Sequence, residues 1–139
     1  MSRVLLDTSA YSAYMAGYSA VRQPIQEASE IWLNVTVLGE LLAGFKKGSR
    51  TREHDRLLRD FLAEPRVHVA VMDGDTAERY AIIRDHLRRA GTPVPVNDLW
   101  IAASAFQHGF ELLTLDEHFL HIPQVAVDFV GRSPGDGSR

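Results

Sequence analysis

Short apolar runs alternate along this chain with longer stretches whose apolar residues recur every three or four positions. Val4-Leu5-Leu6 closes on Asp7, so Arg3 to Asp7 reads as a short buried strand, with a turn or helix start at Thr8-Ser9. From Ala10 to Ser29 the pattern is weakly helical and breaks near Gly17. Pro24 is tolerated in a helix's first turn, so this stretch predicts two short helices. Glu30 to Val35 reads as a second strand. Thr36 is then a fitting N-cap for a helix carrying Leu38, Leu41, Leu42 and Phe45 at one-face spacing, with Gly44 and Gly48 bracketing its end. A basic polar loop leads to a helix running to about Ala63, which should bury Leu57, Leu58, Phe61 and Leu62. Val67 to Val71 predicts a third strand.

Asp75 and Glu78 have the spacing of a capping box for the next helix, which places Ala77, Tyr80, Ile83 and Leu87 near one face and stops at Gly91. Thr92 to Val96 contains two prolines and reads as a stiff extended linker. Asn97 is positioned to cap the most apolar helix, Asp98 to about Gln107, which His108-Gly109 ends. Glu111 to Thr114 predicts a fourth strand, Asp116 to His121 a short helix or turn, and Val125 to Val127 or Val130 a last strand. Residues 131–139, rich in Gly, Ser and Pro, read as a flexible tail after a single domain of residues 1–130. Strands alternating with helices imply an α/β fold with a mainly parallel sheet covered on both faces, and in such sheets sites form at the carboxyl ends of strands.

Against this pattern, four carboxylates stand where apolar segments begin or end. Asp7 closes the first strand, and Glu40 interrupts Val35 to Leu42. Asp98 directly precedes Leu99-Trp100-Ile101-Ala102-Ala103, and Asp116 follows Leu112-Leu113-Thr114-Leu115. An acid on a core-forming segment costs stability unless it emerges at a rim or meets a cation. Each acid alone has an ordinary explanation as a helix cap or a first-turn acid favoured by the helix dipole. Taken together, they form a candidate site for a hard divalent cation such as Mg²⁺ or Mn²⁺, which prefers oxygen ligands.

Composition narrows the chemistry. The 139 residues, 45% of them hydrophobic, suffice for one domain with a real core. Without cysteine there is no disulfide, thiolate nucleophile or zinc–sulfur site. The early apolar run is too short for a signal peptide and no stretch approaches a bilayer span, so the expectation is a soluble cytoplasmic protein with no membrane partner. A net charge of −3 argues against a generic nucleic-acid coat but leaves room for an enzyme whose acids are committed to metal. Lys46, Lys47, Arg50 and Arg52 form one basic group, and Arg84, Arg88 and Arg89 another. Either could hold a phosphate backbone, although each also suits a solvated helix face. His118 and His121 follow Asp116 at a spacing suited to a metal or phosphate contact, and equally to surface histidines. No phosphate-binding glycine loop is present.

The four acidic segments, in this order and spacing, resemble the PIN-domain ribonucleases, in particular the VapC-type toxins of toxin–antitoxin pairs. The segments are Leu5-Leu6-Asp7-Thr8-Ser9, Thr36 to Gly44, Pro95 to Ala103, and Leu113 to Phe119. The resemblance covers the chain to about Val130. It implies a three-layer α/β/α fold with a roughly five-stranded parallel sheet, and Mg²⁺- or Mn²⁺-dependent cleavage of RNA by metal-activated water. Asp7, Glu40, Asp98 and Asp116 match the family's acidic quartet, with Asp7, Asp98 and Asp116 as metal ligands. Thr8 and Thr114 match its small hydroxyl positions, with Asn97 in support. Lys46, Lys47, Arg50, Arg84, Arg88 and His118 are the candidate RNA contacts. A cognate antitoxin and a homodimer are the implied partners. Leu115 departs from a position often polar or basic in the family.

Two other readings fit a small α/β domain with rim acids. One is a PIN-like module that binds RNA or a partner without catalysis. The other is a phospho-receiver switch, which normally needs an acidic pair after its first strand and a late-strand lysine. Here Asp7 is unpaired and no lysine follows Lys47.

Overall fold

The computed structural model describes residues 2–131. All of the expected tail except Gly131 therefore lies outside the described residues. The first strand, β1 (Arg3–Leu6), is the centre of a five-stranded sheet. After it come helices α1 (Thr8–Met15) and α2 (Ser19–Glu27), strand β2 (Glu30–Asn34), helices α3 (Val35–Lys47) and α4 (Thr51–Leu62), and strand β3 (Val67–Ala70). Helices α5 (Gly74–Ala90) and α6 (Val96–His108) lead to strand β4 (Glu111–Thr114), a short 3₁₀ helix (Glu117–His121) and strand β5 (Ala126–Phe129).

The strands run in the order β3-β2-β1-β4-β5 and every pairing is parallel. Successive residues of a strand face opposite sides of a sheet. Leu5 and Leu6, and likewise Leu112 and Leu113, are all fully buried, so both faces are covered by helices. That burial explains why these strands are continuous apolar runs rather than alternating ones. The chain moves outward from β1 through β2 to β3, then returns to place β4 on the other side of β1. The crevice beyond the carboxyl ends of β1 and β4 is thus the switch point where α/β sheets bind ligands. A receiver domain instead places its third strand beside its first; here β3 is an edge strand, which removes that reading.

Several local expectations are corrected by capping geometry. Asn34, not Thr36, caps α3: it accepts from the Val37 amide at 3.0 Å, while its amide nitrogen reaches Ser104 Oγ and the Trp100 carbonyl. A fully buried Asn is satisfied on both ends this way, whereas the Thr36 hydroxyl turns to the Met72 sulfur. The capping box of α5 is Asp73 with Thr76 rather than Asp75 with Glu78, because the helix starts earlier, at Gly74. Pro24 lies inside α2, where it forfeits one intrahelical bond. The boundary between α1 and α2 is made by Gly17, in the left-handed region at φ +84. Asn97 caps nothing; α6 begins at Val96, and the Asn97 side chain is used in the site described below. Leu42 is 42% exposed and so does not share the buried stripe of Val37 and Leu41. No helix among the described residues is long and apolar enough to cross a membrane.

Candidate active site

Asp7 is the first residue beyond β1 and caps α1, accepting from the Ala10 amide at 2.9 Å. Parallel pairing of Leu6 with Leu113 sets it beside the end of β4. There Thr114 Oγ1 donates to Asp7 Oδ2 at 2.6 Å, and Ser9 Oγ lies 2.7 and 2.9 Å from the two carboxylate oxygens. Only 4% of Asp7 is exposed. Burial raises its pKa above the usual carboxylate value despite these hydrogen bonds, and the charge of Asp116 pushes the same way.

The same two hydroxyls shape the next segment. Thr114 Oγ1 accepts from the Asp116 amide at 2.9 Å, and Ser9 Oγ accepts from the Leu115 amide at 3.0 Å. The chain leaving β4 is thereby pinned to the start of α1, which aims Asp116 into the crevice. Asp116 caps the 3₁₀ helix through the His118 amide at 2.9 Å.

Glu40 projects from the second turn of α3. Thr8 Oγ1 donates to one of its oxygens, and Asn97 Nδ2 to the other at 3.1 Å. One carboxylate therefore ties together the starts of α1 and α6 with α3. Asp98 lies in the first turn of α6, and its pKa is pushed up to about 6. Burial is the main cause and the Asp116 charge the second, partly offset by His118. His118 Nδ1 sits 3.0 Å from Asp116 Oδ1 and 3.3 Å from Asp98 Oδ2.

All four acids line one cavity of about 290 Å³, with Thr8, Ser9 and Ser12 between them. At its edge, ligand atoms of Asp98, Asp116 and His118 lie within 4.8 Å of one another, with His118 lining the adjoining larger hollow rather than this cavity. The tightest convergence therefore includes His118, which the sequence grouped with RNA contacts, while Asp7 faces the same cavity with both oxygens held by hydroxyls. The donor set is oxygen-rich and negative, and two of its carboxyls are driven toward protonation by burial and mutual repulsion. That is the field a hard divalent cation relieves, so the residues fit one.

None of Lys46, Lys47, Arg50, Arg84 or Arg88 lines this cavity. Arg84 donates to Tyr80 Oη at 2.9 Å, and Arg88 pairs with Asp85. Together they border a separate hollow of about 430 Å³ near Thr92 and Val94. The structure adds Ser12 to the cavity wall and gives Ser9 a defined role. The sequence signal for Ser9 is its place in Asp7-Thr8-Ser9.

Residues 4–125 match the PIN domain. The chain belongs to the PIN-domain family. It is 35% identical over 127 residues to Ribonuclease VapC4 of Mycobacterium tuberculosis, covering 90% of this chain and 95% of that protein. It is 30% identical over 115 residues to Ribonuclease VapC5 of the same organism, covering 83% and 84%. Among solved structures, DNA-bound VapBC from Salmonella typhimurium aligns with a TM-score of 0.80 at 25% identity, covering 93% of this chain and 98% of the other. VapBC2 from Rickettsia felis, bound to a promoter DNA fragment, shares the fold with a TM-score of 0.81 at 22% identity, covering 91% and 98%. This PIN domain is thus of the VapC type.

Proposed function

We propose that this PIN domain is the toxin of a type II toxin–antitoxin pair, an endoribonuclease that cleaves RNA with Mg²⁺ or Mn²⁺. The observation that carries the reading is the convergence of Asp7, Glu40, Asp98 and Asp116 on one cavity at the switch point of the sheet. Support also comes from relatives that are named ribonucleases and from neighbours described as toxin–antitoxin systems or complexes.

In this reading Asp98 and Asp116 hold the cation, with Asp7 as a third ligand, directly or through water. Bound there, a divalent ion supplies a water of lowered pKa and neutralises charge developing on phosphoryl oxygens. The chain's own groups do the positioning. Glu40, fixed on both oxygens by Thr8 and Asn97, orients the attacking water or accepts its proton. Ser9 and Thr114 keep the buried Asp7 in place and hold the Asp116 segment against it. His118 Nδ1 stands within 3.0 Å of Asp116 Oδ1 and 3.3 Å of Asp98 Oδ2, where it positions the two carboxylates. An antitoxin and a second copy of the chain are the protein partners, and work in the cytoplasm follows from acting on cellular RNA.

The test is cleavage of RNA by purified protein with Mg²⁺ or Mn²⁺, with and without EDTA, beside Asp98→Asn. Cleavage only with the ion and only by the unaltered protein supports the reading. Equal cleavage in excess EDTA refutes the mechanism. Binding of RNA with no cleavage under any ion condition favours the non-catalytic module. Co-purification with the product of a neighbouring gene tests the antitoxin.

A further inference from the structure

The acidic cavity shares Ser9, Ser12 and Asp116 with a larger hollow of about 810 Å³, so the two are continuous. One wall of this hollow is α1, where Ser9, Ser12, Ala13 and Ala16 recur at helical spacing and are all small, which leaves room. The facing wall is the end of β5. Phe129 is the register partner of Thr114. Paired residues on adjacent strands project to the same side of a sheet. Thr114 directs its hydroxyl to Asp7, so Phe129 projects on the active-site side too, further along the rim. Phe129 is 38% exposed. Gly131, at φ +66, lies so close to the ring that a Cβ there would sit 3.4 Å from it, so the ring has backing. Tyr18 supplies a second, half-buried ring to the same hollow. Neither ring stacks on another aromatic among the described residues.

Charge decides which part of a nucleotide could enter. Among the described residues, the lining includes Asp116 and Glu117, with His118, and neither lysine nor arginine. With Asp116 committed to the cation, Glu117 still disfavours phosphate there. A flat, uncharged base is not disfavoured, and single-stranded nucleic acid is commonly held by stacking its bases on aromatic rings. The volume is ample for one nucleoside, given that small-ligand pockets span roughly 300–1,000 Å³.

We propose that this hollow seats the base next to the scissile phosphate, stacked on Phe129 with Tyr18 as a second contact, and thereby sets which base the enzyme tolerates there. The proposal rests on the ribonuclease reading above. It is tested with short single-stranded RNAs carrying 2-aminopurine, whose emission falls on stacking, at each position in turn. They are titrated in Mg²⁺ with full-length Glu40→Gln protein, which keeps the cation ligands but not the group that orients the water, so that the strand stays intact. One position should be quenched. Phe129→Ala and Phe129→Leu, added to that background, should abolish the quenching and weaken binding about tenfold, while Phe129→Tyr retains both. The leucine variant keeps apolar bulk without a π face, so it separates stacking from packing, and thermal melts confirm folding. In the active protein, Phe129→Ala should broaden the base preference on one side of the mapped cut. Folded Phe129→Leu with unchanged quenching and an unchanged cut pattern would overturn the base seat alone. Unaltered protein that cuts no RNA would instead remove the ribonuclease reading.

Discussion

Replacing Asp98 by Asn should stabilise the cation-free protein while abolishing cleavage. In the folded chain the Asp98 carboxyl titrates at about 6, against a usual 3.8, because burial and the Asp116 charge disfavour its ionised form. At about 1.36 kcal/mol per pH unit, that gap corresponds to roughly 3 kcal/mol. Asp98 sits at a rim with 15% of its side chain exposed, and water screening reduces the usable part to about 1–2 kcal/mol. The sign follows from linkage. A carboxyl whose folded pKa is raised binds more protons folded than unfolded, so stability falls as pH rises from 3.8 to about 6 and stays low above. Asn escapes this penalty. It also changes the contact with the half-exposed His118, a small term at such exposure. Thermal melts in EDTA should therefore show Asp98→Asn above the unaltered protein by on the order of 5 °C at pH 8, converging with it near pH 4. Equal melting at pH 8, or an offset as large at pH 4 as at pH 8, would show that the carboxyl is not held in an unfavourable field, and would remove the electrostatic basis for cation capture.

Mg²⁺ or Mn²⁺ should raise the melting temperature of the unaltered protein, by the equivalent of about 2.7 kcal/mol at a hundredfold excess over the dissociation constant. The effect should be larger at pH 8 than at pH 5, where Asp98 is protonated, and should vanish in Asp98→Asn; scanning calorimetry at the two pH values checks it. Thr114→Val removes a hydroxyl that serves both the Asp7 carboxylate and the Asp116 amide in a fully buried position. Urea unfolding should show a loss of about 2–4 kcal/mol, with Thr114→Ser recovering most of it. Asn34→Ala removes the α3 cap and the bonds to Trp100 and Ser104, and should cost about 2–3 kcal/mol in the same assay while sparing the acids themselves.

By itself the sequence determined the class of fold. Buried parallel strands must be apolar on both faces, so Val4-Leu5-Leu6 and Leu112-Leu113 announce themselves, and the helices between them follow from their spacing. It also exposed the acids, because Asp7 and Asp98 stand out against apolar neighbours. Only the tertiary structure decided which capping residues are used and how the acids are held. Capping depends on where a helix actually starts and on what its neighbours offer. Asn34 prevails over Thr36 because Ser104 and Trp100, distant in sequence, satisfy its other end. Likewise Asn97, which reads locally as a cap, turns to Glu40 across the crevice. His118 looks like a surface histidine until β4 and α6 bring Asp116 and Asp98 to its Nδ1. The hollow beside Phe129 exists only because strand register aligns that residue with Thr114. Periodicity is a local property and survives in the sequence. Hydrogen-bond partners and electric fields come from residues a hundred positions apart, and they exist only once the chain has closed on itself.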